Sequence, residues 1–280
     1  MKAIKYIIGL SALLVGLTSC EGLNKEKTQD EIEQKWPEAI TTVEAGDFVL
    51  VRRDTLGFTM GDANLITSSP EHTVKFSKSF YMCKTEVTQA QWKAIMGTNP
   101  SDNEGIIAEG TNADKCPVNN ITLDDAKAFV EALNAATGRT FAIPTEAQWE
   151  WAAMGGKLSQ GYTFSGSNDM SEVAWNALNS DSYLNEVGKL KANELGIYDM
   201  TGNVEEWVAD RYSAYKAAEA LDPTGSTSGS YFVTRGGNFN DSDADLLSVK
   251  ARNKNKNSDK KYTRGLRLII TEPLSTEILK

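Results

Sequence analysis

The chain has 280 residues, 40% of them apolar and 24% charged, enough for a sizeable core. Its 29 basic and 38 acidic side chains leave a formal charge of −9, so nothing global draws it to nucleic acid or to an anionic bilayer surface. One histidine, His72, and three cysteines without a Cys-x-x-Cys pair exclude a zinc cluster, a Cys/His pair and a Ser-His-Asp arrangement.

The first residues combine Lys2 and Lys5 with an apolar run from Tyr6 to Leu17 and the tetrad Leu17-Thr18-Ser19-Cys20. That run is too short for a membrane span, which needs roughly 20 residues of helix. The tetrad resembles the lipobox cut by lipoprotein signal peptidase. The resemblance implies removal of residues 1–19 and acylation of Cys20 with diacylglyceryl and palmitate-type N-acyl chains, which makes attachment stable. Glu21 follows the lipidated cysteine, not the aspartate that retains some lipoproteins at the inner membrane, so an outer-membrane location is expected, in either leaflet. Residues 20–41, rich in Glu, Lys, Gln and Asp, read as a tether that cannot bury enough surface to offset chain entropy. One domain is expected over 42–272, then a short tail, 273–280.

Within the domain, three hydroxyl caps stand three residues before a side chain able to reach back: Thr88 with Gln91, Thr122 with Asp125, and Thr145 with Gln148. Apolar residues at helical spacing follow the first two, ending at Gly97 and Gly138; the third runs through Trp149 to Gly155. Strand-like pieces lie at Phe48 to Arg52, Thr73 to Phe76, Phe80 to Met82, Phe232 to Arg235 and Leu266 to Ile270. Residues 157–195 and 210–230 lack periodicity, which suits loops that are functional or held by bound ions. Early helices, scattered strands and long loops give an α+β class rather than a doubly wound sheet. Cys83 and Cys116 are either a disulfide or two buried free thiols, a matter of geometry.

The distinctive strings are Met60-Gly61, 80–88 with Thr85-Glu86-Val87-Thr88, Pro117-Val118-Asn119-Asn120, Ile143-Pro144-Thr145-Glu146 running on to Glu150, Gly202-Asn203-Val204-Glu205-Glu206-Trp207, Arg235-Gly236-Gly237-Asn238-Phe239 and Arg264-Gly265-Leu266-Arg267. In this order and at these separations they resemble the formylglycine-generating enzyme, or sulfatase-modifying factor, family over about Thr42 to Ile270. The resemblance implies a C-type-lectin-like fold with little regular structure and a structural calcium held by Asn203, the Val204 carbonyl and Glu206. An amide oxygen, a carboxylate and a turn carbonyl are the hard donors calcium prefers. The alternative is that Asn203 and Glu206 cap a turn and pair with Arg235 or Arg267. A second calcium site of the family is not visible in 176–188.

The family's oxidation of a substrate cysteine requires two cysteines after Arg-Gly-Gly that bind copper(I), and soft thiolates have no good substitute there. Residues 238–252 contain none, so no copper is expected, and His72 alone cannot supply the histidine cluster of the iron-dependent sulfoxide synthases that share the fold. A non-catalytic, lipid-anchored envelope protein is therefore expected, binding a protein or glycan ligand through its C-terminal face. Its expected contacts are Asn238, Phe239, Asn240, Asp241, Asp243, Arg252, Asn253, Asn255 and Tyr262, polar groups around a few aromatics; a solvated charged loop is the competing reading of 253–261. Two other readings stay open. One is a structural subunit of a gliding or secretion assembly. The other is an enzyme using the crowded carboxylates Asp241, Asp243 and Asp245. Trp92, Trp149, Trp151, Trp175 and Trp207 are expected in packing sites, not on a sugar.

Overall fold

The computed structural model describes residues 39–42 and 45–272. The signal peptide, Cys20, most of the tether and the tail 273–280 lie outside the described residues. The domain starts earlier than expected, because β1 (Ala39–Thr42) pairs antiparallel with β2 (Gly46–Val51). A five-stranded antiparallel sheet continues from them through β5 (Phe80–Cys83) and β12 (Ile269–Ile270) to β6 (Phe141–Ala142). A second sheet has the order β10 (Arg252–Lys256), β9 (Tyr231–Arg235), β7 (Glu205–Arg211), β11 (Arg264–Leu266), with β11 parallel to β7. A third, small sheet joins β3 (Phe58–Met60), β4 (His72–Lys75) and β8 (Ala220–Leu221).

All three predicted capping boxes form, at the starts of α1 (Gln89–Met96), α2 (Leu123–Thr137) and α3 (Glu146–Ala153). Each cap contributes about 1 kcal/mol by satisfying amides that the first turn leaves free. Gly97 and Gly138 end the first two helices in the left-handed conformation that a β-carbon disfavours. α1 and α2 pack through Trp92 and Phe129, whose rings stack at 4.7 Å and 6°. One core lies around these helices with Phe48, Tyr81, Trp207, Phe232 and Leu266. A second lies around α3 with Met82, Trp149, Val208 and Val233. β7 and β9 therefore send alternate side chains to both cores, as strand pleating requires.

The segment Leu266 to Ile270 is not one strand. β11 belongs to the second sheet and β12 to the first, and the chain crosses between them at Arg267 and Leu268. The loops between residues 157 and 204 are held by amide side chains: Asn193 donates to Ala152 O at 2.8 Å and to Ser165 Oγ at 3.0 Å, while Asn176 and Asn179 both donate to Ala174 O. Of the two alternatives for the cysteines, the structure has the free thiols. Cys83 and Cys116 are free, buried thiols in separate clusters, Cys83 on the first sheet and Cys116 beside Leu184, Val204 and Phe239.

Candidate functional site

The motif arginines point inward. Arg252 grips Glu146 with two bonds of 2.6 Å, and Arg235 pairs with Glu150 while donating to Ala251 O. Arg264 reaches Glu205 at 2.8 Å, and Arg267 reaches Glu206 at 2.8 Å. None of these eight residues is more than 3% exposed. Arg264 and Arg235 also lie over the rings of Trp207 and Trp149 at 4.6 and 5.1 Å. Charges taken this far from water are tolerable only when each has its partner, so the strings 143–150, 202–207, 235–239 and 264–267 select one another in space. They form a rigid frame, not an exposed reaction centre. Trp92, Trp149, Trp151 and Trp207 are buried in the same packing, and Trp175 is half-buried.

Beneath this frame, Glu86, Asp199 and Glu206 all lie within the influence of the single guanidinium of Arg267. Burial, then repulsion from Asp199 and Glu206, holds the Glu86 carboxyl well above its usual range. Burial likewise raises Asp199 to about 6. The residues expected to hold calcium have protein partners. Asn203 Oδ1 accepts from Asn185 N at 3.2 Å, its amide donates to Glu86 at 3.0 Å, and the two Glu206 oxygens accept from Arg267 and from Trp149 Nε1. Every side-chain oxygen acceptor of Asn203 and Glu206 is thus engaged by the protein, so a calcium ion there would compete with Asn185, Trp149 and Arg267. Among the described residues, no three His, Cys, Asp or Glu side chains converge as a metal site.

The expected ligand-binding residues divide. Three of them are corrected from surface to frame. Phe239 is fully buried beside Cys116, Arg252 is clamped on Glu146, and Asn255 is buried with its amide on Thr234 Oγ1 at 2.7 Å. Asn253 is half-buried and donates to Glu205 at 2.9 Å. The reason is strand register. Residues 252–256 form β10, so the polar run that reads as a recognition loop is locked against Arg235, Thr234 and Phe232. The remaining five stay together. Asn238 donates to Asp241 at 2.6 Å, Asn240 donates to the Tyr262 hydroxyl at 3.1 Å, and Asp243 caps α4 (Ala244–Leu247). Burial, with repulsion from Glu205, raises the Asp241 carboxyl.

The fold adds a segment that the sequence did not single out. Ala177 N donates to Asp241 O at 3.0 Å and Ser180 Oγ to Phe239 O at 3.0 Å, which sets residues 176–184 against the 238–241 turn. Leu178 on this loop is 72% exposed, and Leu246 (40%) and Tyr262 (41%) are partly exposed. Asp181 and Ser182 on the same loop both have positive φ, 52° and 60°, uncommon for residues with a β-carbon. The one available signal was Leu178, isolated among polar residues.

A hollow of about 320 Å³ is lined by Phe76, Lys78, Thr145, Gln148, Asp222 and Thr271 among others, none of them an expected site residue. A smaller one of about 80 Å³ opens on Arg252, Glu146, Asp210, Tyr215 and His72, the last two with ring centroids 4.6 Å apart and planes tilted by 58°. Burial pushes the Cys116 thiol up to about 12 and raises Cys83 as well, so neither supplies a thiolate at neutral pH.

Residues 25–272 match the family model described as the sulfatase-modifying factor enzyme 1-like domain. Among curated proteins the chain is 32% identical over 252 residues to a protein named chaperone protein LppX of Paenibacillus barcinonensis, covering 73% of this chain and 80% of that one. It is 31% identical over 167 residues to the formylglycine-generating enzyme of Thermomonospora curvata, spanning about half the length of each (53% and 52%). Among solved structures, Treponema denticola variable protein 1 superposes with a TM-score of 0.77 at 29% identity, over 84% of this chain and all of that one. PvdO from Pseudomonas aeruginosa shares the fold at a TM-score of 0.68 and 20% identity, over 85% of this chain and 99% of that one. By the match over 25–272, by the frame of paired motif residues and by the shared fold, the chain belongs to the sulfatase-modifying factor enzyme 1-like family.

Proposed function

We propose that this protein is a non-catalytic, lipid-anchored component of the cell envelope, at the outer membrane, that holds a polypeptide ligand on the face formed by residues 176–184, 238–247 and 262. The observation that carries the reading is that the segments bearing exposed Leu178 and Tyr262 are both hydrogen-bonded to the 238–241 turn that leads into exposed Leu246, through Ala177 N to Asp241 O and Asn240 to the Tyr262 hydroxyl. Scattered exposed leucines are ordinary, but a group supported by a rigid frame is how interaction surfaces are built. Leucines favour a polypeptide over a glycan, because sugars stack on flat aromatic faces and four of the tryptophans are buried. A relative named a chaperone supports the same choice. The loss of chemistry is supported by the lack of cysteine in 238–252 and by the high pKa of the two thiols elsewhere.

The test is site-specific photo-crosslinking in intact cells from positions 178, 240, 246 and 262, with exposed Lys216 as control. A polypeptide adduct from the face positions alone is expected. Equal adducts from position 216, or none anywhere, would overturn the reading. A single stoichiometric partner would identify the protein as a subunit of an envelope assembly. Conversion of a cysteine peptide to formylglycine by the purified chain with copper and oxygen would end the non-catalytic assignment.

A further inference from the structure

The same face carries a charge pattern that narrows its ligand. The segments that bear Leu178 and Leu246 also carry Asp181, Asp243 and Asp245, all exposed, and the half-buried Asp241. The charge of Lys261, itself exposed, acts against the burial-driven rise of the Asp241 carboxyl. Three other cations of the C-terminal segment are engaged elsewhere. Lys250 reaches Thr59 O, Gly61 O and Glu150, Lys254 lies near the rings of Tyr212 and Tyr231, and Lys260 pairs with Asp125 of α2. The acids at 241–245 thus lie on the segment of the exposed Leu246, while the bases at 250–256 follow on and around β10.

The carboxylates also have no ion-pair partner among the described residues. Asp243 is engaged by the amide of Asp245 at 2.9 Å, an interaction that leaves its charge intact, and no ion pair involves Asp181 or Asp245. An apolar patch ringed by unpaired negative charge repels acidic chains and gains both burial and Coulomb energy from a basic, apolar one.

Resting on the reading of this face as a polypeptide site, we propose that its ligand docks through a cationic amphipathic segment. Leucine-like side chains cover Leu178, Leu246 and Tyr262, and lysines or arginines face Asp181, Asp243 and Asp245. Apolar contact supplies the affinity, and the carboxylate rim excludes acidic or merely polar segments.

The experiment measures anisotropy of three labelled peptides with the full mature chain, secreted as the Cys20→Ser variant so that no acyl chain intervenes. One peptide is a lysine–leucine amphipath, one its glutamate–leucine counterpart and one its lysine–serine counterpart. The lysine–leucine peptide should bind at least about tenfold more tightly than either other, and weaken about fivefold or more between low and high salt. Leu178→Ser with Leu246→Ser, and separately Asp181→Asn with Asp243→Asn and Asp245→Asn, should each cost about tenfold while thermal melts stay unchanged; asparagine keeps the cap at 243. Equal binding of the glutamate–leucine peptide, or binding that survives both sets of substitutions, overturns the proposal. The two failures are distinguishable: crosslinks from position 178 to a ligand whose docking segment is acidic or uncharged would leave the polypeptide site standing and remove only its cationic character.

Discussion

Trp149 and Glu206, 57 residues apart, are joined by a 2.7 Å hydrogen bond from the indole Nε1 to Oε2, and Arg267 holds the same carboxylate from its other side. Three of the sequence strings meet at this one carboxylate. Arg267 also donates to Cys83 O and Tyr198 O, so it ties the crossing between the two large sheets. Removing one partner of such a pair leaves an uncompensated buried charge, at a cost of roughly 3–5 kcal/mol. Arg267→Ala should therefore lower the stability measured by urea unfolding by about that much. Glu206→Gln, which keeps an acceptor for Trp149, should cost less, and the double variant should fall short of the sum by 1 kcal/mol or more, on the order of the coupling expected for contacting residues. Additive losses would show that the pair is not coupled.

Asp210 predicts a pH dependence. Its Oδ2 accepts from Glu146 N at 2.9 Å, and burial together with repulsion from Glu146 raises the carboxyl to about 7. The folded chain thus keeps a proton that the unfolded chain releases near pH 4. The stability this group contributes is full below that point and is lost as pH rises through 7. At about 1.4 kcal/mol per unit, Asp210 acting alone accounts for a decline on the order of 4 kcal/mol. Asp210→Asn should flatten the profile between pH 4 and 7 and exceed the parent protein in stability above pH 7. The slope that remains should include the titration of Asp199 near pH 6. An unchanged slope in the variant would refute the assignment.

What the sequence made legible follows from what kind of signal each feature leaves. Thr88, Thr122 and Thr145 announce their helices because a capping box is a local motif, complete within four residues. β7 was invisible because Glu205, Glu206 and Asp210 break any apolar alternation, and only partners such as Arg264 and Arg267, some 60 residues on, make those charges buriable. Tertiary pairing overrides composition there. The same cause misplaced Arg252 and Asn255. A polar pentapeptide reads as a loop until β9 supplies the register that makes it a strand. The face around Leu178 depends on backbone contacts between 177 and 241, which leave no trace in spacing.

The two thiols give a chemical check on the fold. Cys83 Sγ donates to Ala45 O at 3.4 Å inside the first core, and Cys116 Sγ to Asn112 O at 3.6 Å. Both are buried and protonated, so iodoacetamide at pH 8 should leave the native chain unmodified at these positions for hours. Alkylation should go to completion at both once guanidinium unfolds it. Mass spectrometry of the unreduced protein should show both thiols free. Rapid labelling of native Cys116, or a 2 Da deficit from a disulfide, would contradict the placement.

Calcium offers the sharpest contrast between what the family resemblance implies and what the geometry favours. For an ion to sit between Asn203, the Val204 carbonyl and Glu206, it would have to displace Arg267 from Glu206 and the Asn185 amide from Asn203. That exchange leaves a buried guanidinium with its main partner gone, a cost that a single carboxylate ligand does not offset. Millimolar calcium, or its removal with a chelator, should therefore leave the thermal midpoint within about a degree at pH 7.5. A rise of several degrees that Glu206→Gln abolishes would show that the ion wins over Arg267, because a ligand bound only to the folded state stabilises it in proportion to the logarithm of its excess over the dissociation constant. Asp199 and Glu86 sharpen the comparison. Their raised pKa values mean that protons neutralise part of this cluster, so any calcium effect should grow between pH 5 and pH 8 as those protons leave.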